Sequence, residues 1–452
     1  MSRHEWKRHL GRSVALGGGL VLLVAAGAVS AGVTLARRAV AIDRNAETPV
    51  TVAELQQHDG LTEVWLRGEH STLPGTYSFV FDAGGGHARI GDVLEERQGA
   101  VRREVLSTER GELQPGTQGR ITGWWFTEPE QLGFRVDRVT YPTELGDAEA
   151  WIIHPRRQRK HRWAVHVHGR GAPPEETLRG VIPLARAGIT SLVISYRNDP
   201  GAPLSENGRY GIGLSESRDV DAAIAEARRR GAERVTLFGW SMGGTASLVA
   251  ATSGDHTSVI DGLILDSPAV DWASLLRYHA TLSRAPHAVA DIGIRLLDSG
   301  IIRGGEPDGI DFTRLTPAAF AEQLTIPVLI HASVGDTFVP CGGAQELANA
   351  RPDLVQLRLQ TTGEHVKLWN VAPEPWERVT EAFARALPRP PWRGESASQE
   401  RRYTSCDASR HSAQRRATRR SQPHHFRHRA RGDTCSATTV RPRDVRVVPT
   451  RS

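Results

Sequence analysis

Ser241 stands at the centre of Gly239-Trp240-Ser241-Met242-Gly243, a run that could make a hydroxyl reactive. An apolar segment, Val235-Thr236-Leu237-Phe238, precedes it, and a small-residue segment, Thr245–Ala250, follows. A strand, a sharp turn and a helix are the reading. A turn this tight strains the backbone of its central residue, so the positions two either side must be small, and Gly239 and Gly243 satisfy that. The hydroxyl is thereby presented at the tip of a strand. A serine hydroxyl is a poor nucleophile at neutral pH and needs a base, and the base needs a carboxylate to orient it. Asp336, in Val334-Gly335-Asp336-Thr337-Phe338, directly follows the apolar run Val328–Ile330. His365, in Gly363-Glu364-His365, follows the run Val355–Leu359. Asp266, after Leu263-Ile264-Leu265, is a competing acid one strand earlier.

Attack on a carbonyl creates an oxyanion, which hydrogen-bond donors must meet. The backbone N–H of Met242 is the first candidate. The second comes from His168-Gly169-Arg170-Gly171, where the Arg170 amide is preferred and Gly171 is held in reserve. The Arg170 side chain either steers an acidic substrate or pairs with a carboxylate. His166 reads as a satisfied core histidine. The three cysteines, Cys341, Cys406 and Cys435, give neither a disulfide framework nor metal-ligand spacing. The chemistry therefore calls for no metal and no cofactor.

Such residues need a sheet whose strand ends meet at one edge. From about residue 148 apolar strands alternate with helical segments: Trp163–His168, Leu178–Ala187, Ser191–Tyr196, a helix capped by Ser217, then the strands near 235, 263, 328 and 355. Continuous apolar strands alternating with helices predict an α/β fold, a mostly parallel sheet covered on both faces. A last amphipathic helix starts near Pro375 and carries Trp376, Val379, Phe383 and Leu387. Residues 271–325 interrupt the alternation and are read as a small helical cap above the sheet's carboxyl edge. Residues 37–136 carry short apolar runs between Gly and Pro turns, which predicts a β-rich N-terminal extension. The α/β domain is assigned to residues 137–388.

The ends differ in kind. Residues 1–12 form a basic segment. Ser13–Ala36 is uncharged over 24 residues, long enough for a transmembrane helix serving as a signal anchor. Val29-Ser30-Ala31 offers the alternative of a cleaved signal peptide. Basic residues on the N-terminal side favour an amino terminus in the cytoplasm and a body on the extracytoplasmic side of the cell membrane. From Arg389 onward the chain holds sixteen arginines against five acids, so a protein of net charge +6 has a mildly acidic remainder. That tail lacks aliphatic patterning and is read as disordered. With the body outside the membrane, nucleic acid is disfavoured as a partner; oligomeric state is not legible.

Several of these pieces together resemble the α/β-hydrolase superfamily, in the neighbourhood of its prolyl-oligopeptidase-like and serine-aminopeptidase-like members. They are His168-Gly169, Arg209-Tyr210-Gly211, Gly-Trp-Ser-Met-Gly-Gly at 239–244, Leu265-Asp266-Ser267-Pro268, His331 through Asp336, Val339-Pro340 and Gly363-Glu364-His365. The order Ser…Asp…His is the one that superfamily uses. The likeness spans about 137–387 and implies Ser241, Asp336 and His365 as its catalytic residues. Ala332 departs from the pattern, since glycine often follows the histidine there. Substrate is not implied, because the superfamily hosts many chemistries. The expected activity is cleavage of a small-molecule ester or amide through an acyl-enzyme, in the manner of a carboxylesterase-like serine hydrolase. An aminopeptidase-like peptidase and an inactive scaffold binding at a membrane are the alternatives.

Overall fold

The computed structural model describes residues 26–42, 48–158 and 161–388. Within them, residues 26–40 are helical (α1). Six strands follow: β1 (Val50–His58), β2 (Leu61–Gly68), β3 (Tyr77–Phe81), β4 (Gly86–Arg97), β5 (Ala100–Arg110) and β6 (Gln118–Thr122). They close into an antiparallel barrel in the order β1-β2-β5-β4-β3-β6. Closure has a plain cause in the sequence. Val50 and Val52, Val64 and Leu66, Phe79 and Phe81, and Ala88 and Ile90 alternate with more exposed residues, so one face of each strand turns inward. Joining β6 to β1 leaves no open edge to that inward face.

The second sheet has eight strands: β7 (Arg135–Thr143), β8 (Gly146–His154), β9 (Arg162–Val167), β10 (Thr190–Ile194), β11 (Arg234–Trp240), β12 (Ile260–Asp266), β13 (Val328–Ser333) and β14 (Val355–Gln360). Their order is β14-β13-β12-β11-β9-β10-β8-β7. From β10 to β14 all pairings are parallel; β8 runs antiparallel to β10, and β7 to β8. The strands β9 to β13 are buried along their length, which is why their sequences read as unbroken apolar runs rather than alternations.

Helices cover both faces. On one side lie α2 (Leu178–Arg186) and, near the C-terminal end of the body, α9 (Leu368–Val371) and α10 (Pro373–Ala386), burying Leu184, Leu368, Trp376 and Ala384 against Phe238 and Leu329. On the other lie α3 (Glu216–Arg229), α4 (Met242–Ser253), α7 (Pro317–Gln323) and α8 (Gly342–Ala350), through Val220, Ile224, Leu248, Phe320 and Leu347. Helix α3 begins at Glu216 after Ser215, two residues earlier than a cap at Ser217 predicts. The reason is electrostatic: the Glu216 carboxylate accepts the N–H groups of Gly211 and Gly213 and so holds the entering turn. Between β12 and β13 lie α5 (Trp272–Leu282), α6 (His287–Asp298) and α7.

The far end of the segment 13–36, read above as membrane-spanning, requires correction. Residues 13–25 lie outside the described residues. Among those described, no helix is long and apolar enough to cross a membrane. The end of the apolar stretch packs on protein instead. Gly32 and Ala36 are buried, and Gly32 lies so close to α6 that a Cβ there would come within 2.8 Å of Ile292 Cγ2. Gly293 of α6 would meet the Gly32 carbonyl in the same way, at 2.9 Å. The physical reason is that small, uncharged residues satisfy a close helix–helix contact as readily as a lipid environment. The helix end is further tied down where Tyr210 N–H donates to the Val40 carbonyl. The basic segment 1–12 and the arginine-rich tail 389–452 also lie outside the described residues.

Candidate active site

Ser241 sits between β11 and α4 with φ 51° and ψ −118°, a strained conformation for a residue bearing a Cβ. Its surroundings enforce the strain. A Cβ on Gly239 would meet the Gly243 carbonyl oxygen at 2.4 Å, and one on Gly243 would meet the Val167 carbonyl oxygen at 2.2 Å. The turn therefore accepts glycine alone at both places. Ser241 N–H donates to the Asp266 carbonyl at 3.0 Å, which anchors the turn to β12.

Asp336 lies in the loop after β13, and His365 in the loop after β14. These loops leave parallel neighbours at the same edge as β11, so three side chains far apart in the chain converge. His365 Nε2 is 2.9 Å from Ser241 Oγ, and His365 Nδ1 is 2.8 Å from Asp336 Oδ2. The carboxylate fixes the tautomer: with the proton on Nδ1 donated to Asp336, Nε2 is left to accept the serine proton. Asp336 is itself held, its Oδ1 accepting the N–H groups of Phe338 and Val339 at 2.9 and 2.8 Å. Glu364 joins the two loops, accepting the Thr337 N–H and Oγ1–H.

Asp266, the competing acid, makes different contacts. It is buried against Ser267 Oγ and Trp376 Nε1, at 3.0 Å each, and burial pushes its carboxyl up to about 6. Its role is to pin the end of β12. His166 is likewise buried, with Nε2 at 2.9 Å from Ser191 Oγ, and burial pulls it down to about 3, so it is neutral. His168 pairs with Asp199 at 2.8 Å and stacks on Tyr196, which braces the loop behind the site.

That loop carries the residues expected to meet an oxyanion. Gly169 N–H is taken by Glu176 Oε2 at 2.7 Å, and Gly171 N–H by Tyr210 Oη at 3.2 Å. The reserve position, Gly171, is therefore committed elsewhere. Arg170 lies between them on the cavity wall, with its Nη1 donating to the Ala39 carbonyl of α1. Met242 opens α4 directly after Ser241, where helix N–H groups lack intrahelical partners.

A cavity of about 490 Å³ opens over Ser241 and His365. Besides the Arg170 loop, its walls draw on these elements. The segment after β12 supplies Trp272, Leu275, Leu276 and His279 from α5. The barrel supplies the end of β6 and the Gly123-Trp124 turn beyond it. Helix α1 supplies Leu35, Arg38 and Ala39, and the loop after β14 supplies Val366 and Lys367. The contributions of the barrel and α1 are not foreseen by the sequence reading. The available signal for α1 is the i, i+3, i+4 spacing of Leu35, Arg38 and Ala39, which places all three on one helix face. No group of three or more His, Cys, Asp or Glu residues able to hold a metal ion occurs among the described residues.

A family described as a domain of unknown function, DUF8805, matches residues 51–122, the span of the barrel. No curated protein matches the chain. Solved structures similar in part include the Pyrococcus furiosus esterase Pf2001, 19% identical, covering 58% of this chain and 96% of its own, with a TM-score of 0.44. Pyrococcus horikoshii acylaminoacyl peptidase is 18% identical over 74% of this chain and 55% of its own, with a TM-score of 0.42. The esterase EaEST from Exiguobacterium antarcticum is 15% identical over 55% of this chain and 99% of its own, with a TM-score of 0.38. The chemistry of the site stands on its own distances.

Proposed function

We propose that this protein is a serine hydrolase of the α/β-hydrolase type that cleaves an ester or amide through an acyl-enzyme. The observation that carries the reading is the continuous Asp336–His365–Ser241 chain, with contacts of 2.8 and 2.9 Å at one edge of the sheet. His365 removes the proton from Ser241 Oγ as the oxygen attacks the carbonyl. Asp336 holds the imidazole and stabilises its charged form. The backbone N–H groups of Met242 and Arg170 meet the developing oxyanion. His365 then gives its proton to the leaving group, and water, activated by the same imidazole, releases the acid. No step draws on a metal or cofactor.

Ester cleavage is favoured over aminopeptidase action by the cavity's one acidic wall residue among those described. A free amine needs a carboxylate to hold it, and Glu176 has both oxygens engaged, by Gly169 N–H and by Trp124 Nε1–H. Attachment to the cell membrane through the apolar run before the body, with the hydrolase outside, is part of the same proposal and rests on the sequence of residues 13–31.

The deciding experiment is Ser241→Ala with a short p-nitrophenyl ester and a fluorophosphonate probe. The variant is expected to keep its thermal unfolding and to lose turnover and labelling together. A variant that still turns over the ester ends the proposal.

A further inference from the structure

The cavity wall carries cations that the acyl-transfer chemistry does not use. Arg120 comes from β6 of the barrel, Arg38 from α1, and Lys367 from the loop two residues past His365. Three elements remote in sequence thus bring positive charge to one cavity. In β6, Ile121 belongs to the barrel core, so the period of two turns Arg120 outward, to the side where the cavity lies.

None of the three forms an ion pair among the described residues. Arg120 lies 4.8 Å over the Trp124 ring and is half-buried, and burial pulls its guanidinium below the usual range. Lys367 reaches the His365 carbonyl at 3.5 Å; burial lowers it, and Glu364, Asp336 and Glu176 act on it only at longer range. Glu176 on the same wall is held by two N–H donors and lies outside any ion pair with these cations. Arg38 is exposed, whereas Arg120 and Lys367 are partly withdrawn from water. For those two, withdrawal without a carboxylate partner is costly, and the cost is offset when a ligand supplies the missing anion. A guanidinium resting on an aromatic face keeps its forked N–H groups oriented toward such a ligand.

We infer that the substrate is an anionic ester, carrying a carboxylate or phosphate that Arg120, Arg38 and Lys367 bind while Ser241 attacks the ester carbonyl. This inference rests on the serine-hydrolase reading. It adds a recognition site that the barrel completes, and it gives the barrel a part in choosing substrate.

The test compares matched esters on the full chain: p-nitrophenyl hexanoate, the mono-p-nitrophenyl ester of adipic acid, and the p-nitrophenyl ester of 6-phosphonooxyhexanoic acid. One of the two anionic esters is expected to exceed the neutral one in kcat/KM by about tenfold, the size of one charge-assisted contact. Which of them leads identifies the anion as carboxylate or phosphate. That ratio is expected to fall toward one in high salt and in Arg120→Gln, and to recover in part in Arg120→Lys. Should Arg120→Gln fail to fold, the wild-type ratio and its salt dependence decide the matter alone. A ratio at or below one, with Ser241 still labelled by fluorophosphonate and the neutral ester still cleaved, overturns this inference and leaves the hydrolase reading standing. Absence of both labelling and turnover overturns the two together.

Discussion

At the scale of single residues, Asp336 and Asp266 show how environment divides labour between two similar side chains. Asp266 ends β12, and Asp336 lies just past its parallel neighbour β13. Asp336 accepts two backbone N–H groups and faces the imidazole, whereas Asp266 is enclosed by Trp376 and Ser267. Asp336→Asn keeps the size but places an N–H donor opposite Nδ1–H. It is expected to lower kcat on the order of 10³–10⁴-fold with little change in thermal unfolding, as measured by steady-state kinetics and calorimetry. The buried histidines make a separate prediction. His331, 3.0 Å from Thr380 Oγ1, is pulled down by burial to about 3 from 6.5. The unfolded chain therefore binds a proton that the native state refuses, and stability present above pH 6.5 is lost as pH falls toward 3. The slope is up to about 1.4 kcal/mol per pH unit for this one group. Asp266, raised to about 6 from 3.8, works in the opposite sense, adding stability as pH falls from about 6 to 3.8. Denaturant titrations of His331→Gln across the acid range are expected to show a shallower loss than wild type.

At the scale of elements, the sequence was informative where local pattern and tertiary role agree. The glycines around Ser241, the apolar strands before Asp336 and His365, and the small residues of α4 each point to one structure, so the approach of these three side chains to one sheet edge was legible in the sequence. The segment 26–40 could not be, because its apolar, small-residue character has two physical readings. A lipid-facing helix and a helix pressed against α6 call for the same residues, and only the position of the partner separates them. The barrel strands were legible as strands, but closure was not, since the β6–β1 pairing joins residues far apart in the chain. Nor did any local signal show that Arg120 and Trp124 would line the cavity over Ser241 and His365. The α1–α6 contact supplies the prediction at this scale. Gly293→Val forces the two helices apart, and overpacking of this kind costs about 1–3 kcal/mol. A melting temperature lowered by several degrees is expected, with KM affected more than kcat because Leu35 and Arg38 move with the helix. An unchanged melting temperature would show that the contact is loose.

At the scale of the whole molecule, the body reaches from α1 to α10 and holds every residue assigned to the site. The barrel joins it through short, specific contacts. Thr76 N–H donates to the Asn370 carbonyl and Asn370 Nδ2–H to the Thr76 carbonyl, while Gly123 lies so near Arg179 and Asn370 that a Cβ would come within 2.9 Å of both. Arg179 in turn binds the Val366 carbonyl beside His365, which links the barrel's seat to the loop after β14. The proposed membrane attachment is tested here. The full chain is expected to resist alkaline carbonate extraction, and a chain lacking residues 1–25 to be released while keeping ester kcat/KM within about twofold, since the α1 wall lies beyond the cut. Release of the full chain would end the anchor proposal. The shared wall has an evolutionary consequence. On the proposed chemistry, the atoms that break bonds ride on the sheet, while Arg120 and Arg38 ride on appendages at its margins. Selection can then redraw what such a cavity admits by altering an appendage, and the residues at the sheet edge need not change.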